Sequence, residues 1–372
     1  MIDLRSDTVT LPSPAMRRAM AEAELGDDVM HEDPTVNRLE ERAAELLGTE
    51  AAILVSSGTM GNLVGIIAHV PRAGEIIAPA DVHMISGEAA GHAVVAGASV
   101  RPLPWREDGT LDLVAVRDAF RDPGDPHEPV TALVSIENTH SLSMGQPLGP
   151  EYTAAVARVA ASRGVPLFID GARLFDAAVS LGVPARALIP DGASATFCLS
   201  KSLGCPVGSV VVGPAPFVER VRRARKLLGG GTRQAGVYAA AGLVALSEGP
   251  DGMIDRLADD HANARRLGEA LASMPGITRL DPSRIRTNFV LFGVESPVWP
   301  DDAAGRDRVL ARRAEFLDCL ATRGVKMIEY PKGLIRAMPH YGVEPVDIAL
   351  AIDAVRATLA DIGAAPGVPA KR

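Results

Sequence analysis

Residues 164–173 read Gly-Val-Pro-Leu-Phe-Ile-Asp-Gly-Ala-Arg, an apolar run that ends in an acid, a glycine and a base. Residues 165–169 predict a short buried β-strand, because the run is apolar throughout and turn residues bound it on both sides. Asp170 then stands at the carboxyl end of this strand, which is where α/β proteins bind their ligands.

Similar apolar runs recur along the chain, and stretches with helical spacing lie between them. The predicted strands cover residues 51–55, 76–77, 130–136, 165–169, 193–199 and 207–212. Asp33 and Pro34 predict the start of a helix that Gly48 ends. Further helices are predicted at 62–70, 217–228 and 235–246. The alternation of strand and helix predicts an α/β fold with a mostly parallel sheet flanked by helices on both faces.

The pattern changes near residue 248. A turn-rich segment at 247–252 precedes a long charged amphipathic helix at 253–274, and only short strands follow, near 289–292 and 326–328. We predict a large α/β domain at 1–248 that includes an N-terminal arm at 1–25. A smaller C-terminal α+β domain is predicted at 249–362, and a flexible tail at 363–372.

The composition excludes several classes of protein. With 46 acidic and 38 basic residues the net charge is −8, which disfavours nucleic acid or an anionic membrane as the main partner. The three cysteines show no Cys-x-x-Cys pair, so neither a disulfide framework nor a zinc site is predicted. The N-terminus has no signal-peptide pattern, and the sequence predicts a soluble, cytoplasmic enzyme.

Two side chains at predicted strand ends are candidates for a catalytic role. Lys201 follows the strand at 193–199, and a lysine partly removed from water can act as a Schiff-base nucleophile. Asp170 can pair with a pyridinium nitrogen, which keeps that ring able to accept electrons. Each residue also has an ordinary structural interpretation: Lys201 as a loop lysine and Asp170 as the N-cap of the next helix.

Two further positions follow predicted strands. Ser57, Gly58 and Thr59 lie between a strand and a helix, where free backbone N–H groups and hydroxyls favour a phosphate; a plain capped turn is the alternative. His83 can stack on a flat cofactor and move protons, or can be a surface histidine. The eight histidines show no metal-ligand spacing, so no metal is predicted.

The chain resembles the low-specificity L-threonine aldolases, which belong to the β-eliminating lyase group of fold-type-I pyridoxal-phosphate enzymes. The resemblance runs nearly from end to end. The matching stretches are residues 2–10, 26–29, 32–35, 57–62, 137–140, 170–173, 198–201, 206–209 and 229–236.

The resemblance implies a role for each matching residue, with pyridoxal 5'-phosphate as the cofactor. Lys201 would form the Schiff base, Asp170 would pair with the ring nitrogen, His83 would stack on the ring, and Ser57, Gly58 and Thr59 would bind the phosphate. Arg173 would contact the phenolic oxygen and the substrate carboxylate. Ser6 and Arg336 would bind the same carboxylate, for which the arginine fork is suited. Lys226 and Arg233 would reach the phosphate of a neighbouring subunit, which implies a homo-oligomer with shared sites, a tetramer built from dimers.

The resemblance also implies the reaction, in which an amino acid loses its β-carbon as an aldehyde and glycine remains. A base must take the proton of the β-hydroxyl, and the candidates are His83 and His127. His127 lies ten residues before Glu137, the spacing at which the family carries a histidine near this hydroxyl. It can equally be an ordinary loop histidine.

Several positions depart from the family pattern beside the expected substrate wall. They are Met30, His31, Met84, Ile85, Ser86, Ser141, Leu142, Ser143, Met144 and Ser202. These residues change either the substrate or only the packing. A different pyridoxal-phosphate reaction, such as β-elimination, racemisation or aldol formation, is therefore an alternative. A non-catalytic binding protein that retains the fold is another. The side-chain and Cβ preference of the substrate stay open.

Overall fold

The computed structural model describes residues 1–363, and its contacts divide the chain into two compact units. The larger unit is Pro12–Asp255; the smaller one combines Met1–Leu11 with the chain from Arg256 onward. The predicted division differs at the N-terminus, because Ile2–Asp3 pairs in parallel with Val325–Lys326 and so joins the first residues to the smaller unit. Most of the predicted tail, residues 364–372, lies outside the described residues.

Within the larger unit, strands and helices alternate as the sequence predicts. The first strand of the chain, β1 (Ile2–Asp3), belongs to the smaller unit. The strands of the larger unit are β2 (Ala51–Val55), β3 (Glu75–Pro79), β4 (Ser99–Leu103), β5 (Thr131–Glu137), β6 (Leu167–Asp170), β7 (Ser194–Cys198) and β8 (Ser209–Gly213). The helices are α1 (Pro14–Ala21), α2 (Pro34–Leu47), α3 (Gly58–His69), α4 (His83–Ser86), α5 (Gly91–Val94), α6 (Leu113–Asp118), α7 (Pro150–Ala161), α8 (Leu174–Leu181), α9 (Ala215–Leu227) and α10 (Gly236–Ala245).

The seven strands of this unit form one sheet in the order β2-β8-β7-β6-β5-β3-β4. Six strands run in the same direction, and β8 is antiparallel to both of its neighbours. This confirms the prediction of a mostly parallel sheet. Its consequence for function is that β2, β3, β5, β6 and β7 all end at the same edge, so the loops that follow them meet there.

Helix α3 packs unusually close to the sheet because glycines form its inner face. A Cβ at Gly58 would lie 2.7 Å from Sγ of Cys198, and one at Gly65 would lie 2.5 Å from Cε2 of Phe168. Further along, Val64 of α3 packs with Phe217 of α9 over the same face of the sheet. The N-terminus of α3 is thereby held beside the carboxyl end of β7.

The smaller unit contains two short sheets and three long helices. Its elements after β1 are α11 (Leu257–Ala272), β9 (Ile277–Thr278), β10 (Val290–Val294), α12 (Ala303–Thr322), β11 (Val325–Lys326), β12 (Ile328–Tyr330), β13 (Leu334–Ala337) and α13 (Pro345–Asp361). Strands β12-β13-β10-β9 form an antiparallel sheet. Among residues 1–363, no helix combines the length and apolar character that a membrane crossing requires.

Two of the elements that differ from the sequence-based expectation are β4 and the long helix of the smaller unit. Strand β4 was not predicted, since it is half exposed at the edge of the sheet and has no continuous apolar run. The long helix starts at Leu257 instead of residue 253. The backbone N–H of Met253 donates to the carbonyl of Ala245, which ties this residue to the end of α10.

Asp33 confirms the predicted N-cap of α2 and does more than cap it. One carboxylate oxygen accepts the N–H groups of Thr35 (3.1 Å) and Val36 (3.0 Å). The other oxygen accepts the N–H groups of Gly26 (3.3 Å) and Gly236 (2.9 Å), so this fully buried side chain joins α2 to the loop at Gly26 and to the start of α10.

Replacing Asp33 with alanine should therefore cost more than an ordinary helix cap. We expect Asp33→Ala to lower the free energy of unfolding by about 3 kcal/mol, because a cap and two further charge-assisted hydrogen bonds are lost. Asp112→Ala removes an exposed cap from α6 in the same unit and should cost about 1 kcal/mol or less. Urea unfolding at a fixed protein concentration checks this; equal losses would show that Asp33 acts only as a cap.

Candidate active site

The shared strand edge of the larger unit brings the predicted cofactor residues together. Ser57 follows β2, His83 follows β3, Asp170 ends β6 and Lys201 follows β7. Each stands at or just beyond the end of a different strand, and the parallel arrangement of the strands places the four residues at one edge.

Asp170 is a buried carboxyl group with both oxygens hydrogen bonded. Oδ1 accepts the backbone N–H of Ala172 at 3.2 Å, and Oδ2 accepts the side-chain amide of Asn62 at 2.8 Å. Burial, together with the nearby Glu137 and Glu88, raises the pKa of Asp170 to about 6. A cation placed beside this group, such as a protonated ring nitrogen, would favour its charged form.

His83 is held by two buried glutamates. Its backbone N–H donates to Oε2 of Glu137 at 2.9 Å, and its Nδ1 lies 2.9 Å from Oε1 of Glu88. The hydrogen bond with Glu88 raises the pKa of His83 against the opposing effect of burial. With Nδ1 engaged as a donor to a carboxylate, Nε2 of the neutral ring is the basic nitrogen. The side chain is about half exposed, so a ligand can reach it.

Glu137 connects two loops of this edge. Besides the N–H of His83, it accepts the N–H of Ser141 at 2.8 Å. Burial opposes ionisation of Glu137, but the nearby His140 and the N–H groups of Ser141 and His83 outweigh it, so its pKa lies below the usual value. An ionised Glu137 fixes the backbone of His83 at the start of α4.

The N-terminus of α3 has the geometry of an anion site. Ser57 is the N-cap, and its Oγ accepts the N–H of Met60 at 3.1 Å. The N–H groups of Gly58 and Thr59 make no hydrogen bond with other described residues, and Thr59 is exposed. The capped turn and the phosphate site, which the sequence left as alternatives, are thus compatible in one loop.

Lys201 and Arg173 lie at the same edge. The positive charge of Lys201 is near both Asp170 and His83. By itself it lowers the pKa of each, but it does not outweigh the effects that raise them. Arg173 is 7% exposed and immediately precedes α8, three residues beyond Asp170. A lysine amine, a buried carboxylate, an imidazole and open N–H donors are the donor set that a phosphorylated pyridine aldehyde needs, so these residues fit pyridoxal 5'-phosphate.

Three side chains at this edge could together bind a cation. Ligand atoms of His83, Glu88 and Asp170 lie within 4.8 Å of each other, the one such group within the described part of the chain. His83 is hydrogen bonded directly to Glu88, and Asn62 donates to both Glu88 and Asp170, which agrees with a hydrogen-bond network rather than an open set of ligands.

The predicted carboxylate-binding residues lie in the smaller unit. Nε and Nη2 of Arg336 both donate to the backbone carbonyl of Arg5, at 3.1 and 3.0 Å. Ser6 follows directly, and its Oγ accepts the N–H of Thr8 at 3.2 Å. The structure therefore brings Ser6 and Arg336 together, and their binding of substrate stays a prediction.

His127 does not lie with the other candidates of its own chain. It precedes the first residue of β5, whereas Glu137 ends that strand, and seven strand residues span roughly 20 Å. The imidazole is 90% exposed and pairs with Asp125 at 2.8 Å. This placement separates His127 from the other candidates of its own chain, and its role as a base stays a prediction.

Lys226 and Arg233 lie on the surface of the larger unit. A cavity of about 300 Å³ there is lined by the exposed Lys226 together with Arg222, Arg223 and Gly231, among others. Arg233 is 54% exposed and pairs with Asp27 at 2.8 Å. Their contact with a neighbouring subunit stays a prediction.

The departures from the family pattern fall into different environments. Met84 is 2% exposed and packs in the core under α3, which favours the packing interpretation for this position. Met30 is 64% exposed, and His31 beside it has a left-handed backbone. Ser86 donates to the carbonyls of Asp81 and Val82, Ser202 is buried, and Leu142 is half-buried.

Three site residues were missed by the sequence analysis: Asn62, Glu88 and Glu137. Asn62 and Glu137 lie in stretches that carry the resemblance, but nothing in a single sequence says that their side chains point to Asp170 or His83. Glu88 lies five residues after His83, just beyond a four-residue helix, and this short separation is the sequence feature that could have suggested a contact between them.

The sheet order and this site define a fold-type-I pyridoxal-phosphate enzyme, and the comparisons with known proteins agree. A family model described as beta-eliminating lyase matches residues 3–295. The low-specificity L-threonine aldolase 1 of Arabidopsis thaliana is 42% identical over 349 residues, 93% of each chain. The low specificity L-threonine aldolase of Escherichia coli K12 is 44% identical over 297 residues, 80% of this chain and 86% of the bacterial one. The chain belongs to the beta-eliminating lyase family.

A solved structure shows the same fold at much lower sequence identity. The threonine aldolase of Leishmania major superposes with a TM-score of 0.77 and is 17% identical; the match covers 96% of this chain and 99% of the other. This confirms the predicted fold class.

Glu88→Gln should lower the pKa of His83, because the charge that stabilises its imidazolium is removed while the shape is kept. NMR titration of the histidine resonances in the cofactor-free protein measures the shift. Glu75→Gln is the matched control, since it removes another buried carboxylate from the opposite end of β3. A His83 pKa that is unchanged in Glu88→Gln would contradict the assigned hydrogen bond.

Proposed function

We propose that this protein cleaves the Cα–Cβ bond of L-threonine and L-allo-threonine, or of a related β-hydroxy-α-amino acid, to glycine and an aldehyde, reversibly. The observation that carries the proposal is the hydrogen-bonded series His83–Glu88–Asn62–Asp170 beside Lys201. It joins a base to a ring-nitrogen carboxylate at one sheet edge. The names of the relatives support this substrate class.

Pyridoxal 5'-phosphate, when bound, supplies an electron sink for the electron pair that remains on Cα as the bond to Cβ breaks. Lys201 would hold the cofactor through its aldehyde carbon. The N–H groups of Gly58 and Thr59, at the positive end of α3, would bind the phosphate. Arg173 would contact the phenolic oxygen.

Asp170 would keep the ring nitrogen protonated. Its carboxylate is fixed by Asn62 and Ala172, so it does not have to reorganise to meet a cation. A positively charged ring nitrogen beside Asp170 would in turn favour the charged form of this carboxyl group, against the burial that raises its pKa.

His83 would take the proton of the β-hydroxyl at Nε2. Nδ1 faces Glu88, and Nε2 makes no hydrogen bond with other described residues, so it can accept. Glu88 stabilises the imidazolium that forms, and Glu137 holds the backbone of the histidine in place. The same nitrogen would return the proton in the direction of aldol addition.

We also propose a homo-oligomer, a tetramer with shared sites. Support comes from the surface around Lys226, where a basic cavity adjoins large apolar side chains that are exposed in the single chain. Leu227 is 77% and Met30 is 64% exposed. Such residues commonly mark protein contacts.

The proposal predicts a coloured enzyme that depends on Lys201. The purified protein should show a visible absorption band and form acetaldehyde and glycine from threonine. Lys201→Ala should shift or abolish the band and lower kcat at least ~10³-fold, because the covalent attachment is lost. Lys332→Ala, at an exposed lysine, should retain both properties.

Three results would redirect the assignment. A 2-oxo acid and ammonia in place of acetaldehyde and glycine would indicate β-elimination, and the D-amino acid would indicate racemisation. A protein that stays colourless after addition of pyridoxal 5'-phosphate would leave only a binding function.

Arg336 is proposed to bind the substrate carboxylate. Arg336→Ala should raise KM for threonine about 30- to 100-fold, because two charge-assisted hydrogen bonds are lost. The KM of Arg336→Lys should lie between those of the wild type and Arg336→Ala. The dissociation constant of pyridoxal 5'-phosphate should stay the same in both. Arg356→Ala, at an exposed arginine of the same unit, is the control. An unchanged KM in Arg336→Ala would refute the role.

A further inference from the structure

Asn62 lies between two buried carboxylates. It stands on α3, one turn after the residues that cap the helix, and is 2% exposed. Its Nδ2 donates to Oε1 of Glu88 and to Oδ2 of Asp170, both at 2.8 Å. One primary amide therefore uses both of its N–H bonds on acidic groups.

The chemistry fixes the orientation of this amide. Two carboxylate oxygens can share an NH₂ group, whereas an amide oxygen turned toward them would face two further acceptors. With NH₂ directed at Glu88 and Asp170, Oδ1 is buried and has no partner among the described residues. An unpaired buried carbonyl is unfavourable, so the donors have the more important role at this position.

The surroundings explain why donors are needed. Asp170 faces Glu88 and Glu137, which oppose its ionisation, and Lys201 and His83, which favour it. Lys201 and His83 are also the groups that must move protons or bind covalently during the reaction. Asn62 is an uncharged donor that stabilises the carboxylate whatever the charges of those two residues.

Helix α3 gives these contacts a common frame. Its first turn presents the open N–H groups of Gly58 and Thr59, and its second turn presents Asn62. The close packing of its glycines on β6 and β7 leaves the helix little freedom to shift. The phosphate site and the amide between the carboxylates therefore keep a fixed separation.

We propose that Asn62 is a positioning residue that holds Asp170 ionised and aligned for the ring nitrogen of the cofactor, while it fixes Glu88 against Nδ1 of His83. The inference rests on the proposed function through the cofactor. Its test is made on binding to the cofactor-free enzyme, so turnover does not enter.

The experiment compares two ligands on each protein. One is pyridoxal 5'-phosphate, and the other is its 1-deaza analogue, in which C–H replaces the ring nitrogen. Asn62→Ala should raise the dissociation constant of pyridoxal 5'-phosphate about tenfold, the worth of one charge-assisted hydrogen bond, and leave that of the analogue within about twofold. Absorbance titration measures both constants.

Asn62→Asp tests whether the loss of affinity in Asn62→Ala comes from the lost hydrogen-bond donors or from the lost side-chain volume. It has nearly the same size but places a third carboxylate beside Glu88 and Asp170. It should therefore weaken binding of pyridoxal 5'-phosphate more than Asn62→Ala does. A cavity effect alone predicts the opposite order.

The pH dependence supplies a second readout. Binding of pyridoxal 5'-phosphate to the wild type should weaken as pH falls through the pKa of Asp170, about 6. Loss of a donor to the carboxylate raises that pKa, so in Asn62→Ala the weakening should begin about one pH unit higher. The analogue, which has no ring nitrogen, should show no such displacement.

Asn263→Ala is the matched control, since it removes a buried asparagine whose amide donates to the backbone carbonyl of Val343 and not to a carboxylate. It should leave the affinities and pH profiles unchanged. If both Asn62 variants bind like the wild type, or lose affinity equally for both ligands, the positioning role is wrong. If the wild type itself binds no pyridoxal 5'-phosphate or does not cleave threonine, the proposed function fails instead.

Discussion

The buried carboxylate of Asp170 is the group on which the rest of the site depends. A carboxylate in a largely apolar interior is unfavourable unless hydrogen bonds or an opposite charge compensate for the lost water. The fold supplies two hydrogen bonds, from Asn62 and from Ala172, yet its pKa remains raised to about 6. Lys201 and His83 offset this only in part, and a further cation, such as a protonated pyridine nitrogen, would favour the charged form of Asp170. The family to which the chain belongs uses the cofactor that carries this nitrogen.

The second constraint is the close approach of α3 to the sheet. Glycine at positions 58 and 65 lets the helix backbone lie where a side chain would collide with Cys198 or Phe168. Only this approach puts the N–H groups of the first turn at the edge where β7 ends. The anion site and the contacts to Asp170 are therefore consequences of the packing of one helix.

The position and tautomer of His83 depend on two glutamates. Glu137 determines where the backbone of His83 lies, and Glu88 determines which ring nitrogen carries the proton. The histidine needs both, because its own helix of four residues is too short to hold it. Its half-exposed ring then combines a fixed tautomer with access for a ligand.

Much of this was predictable from the chain alone. Apolar runs ending in polar residues determined the strands, the cap Asp33 and the stop Gly48 determined α2, and Ser57, His83, Asp170 and Lys201 were found because each follows a strand of a parallel sheet. These signals are local in the sequence. The placement of His127, the burial of Met84, and the roles of Asn62, Glu88 and Glu137 were decided only by the tertiary structure. Each depends on where a side chain lies once the chain is folded, and one sequence carries no record of those distances.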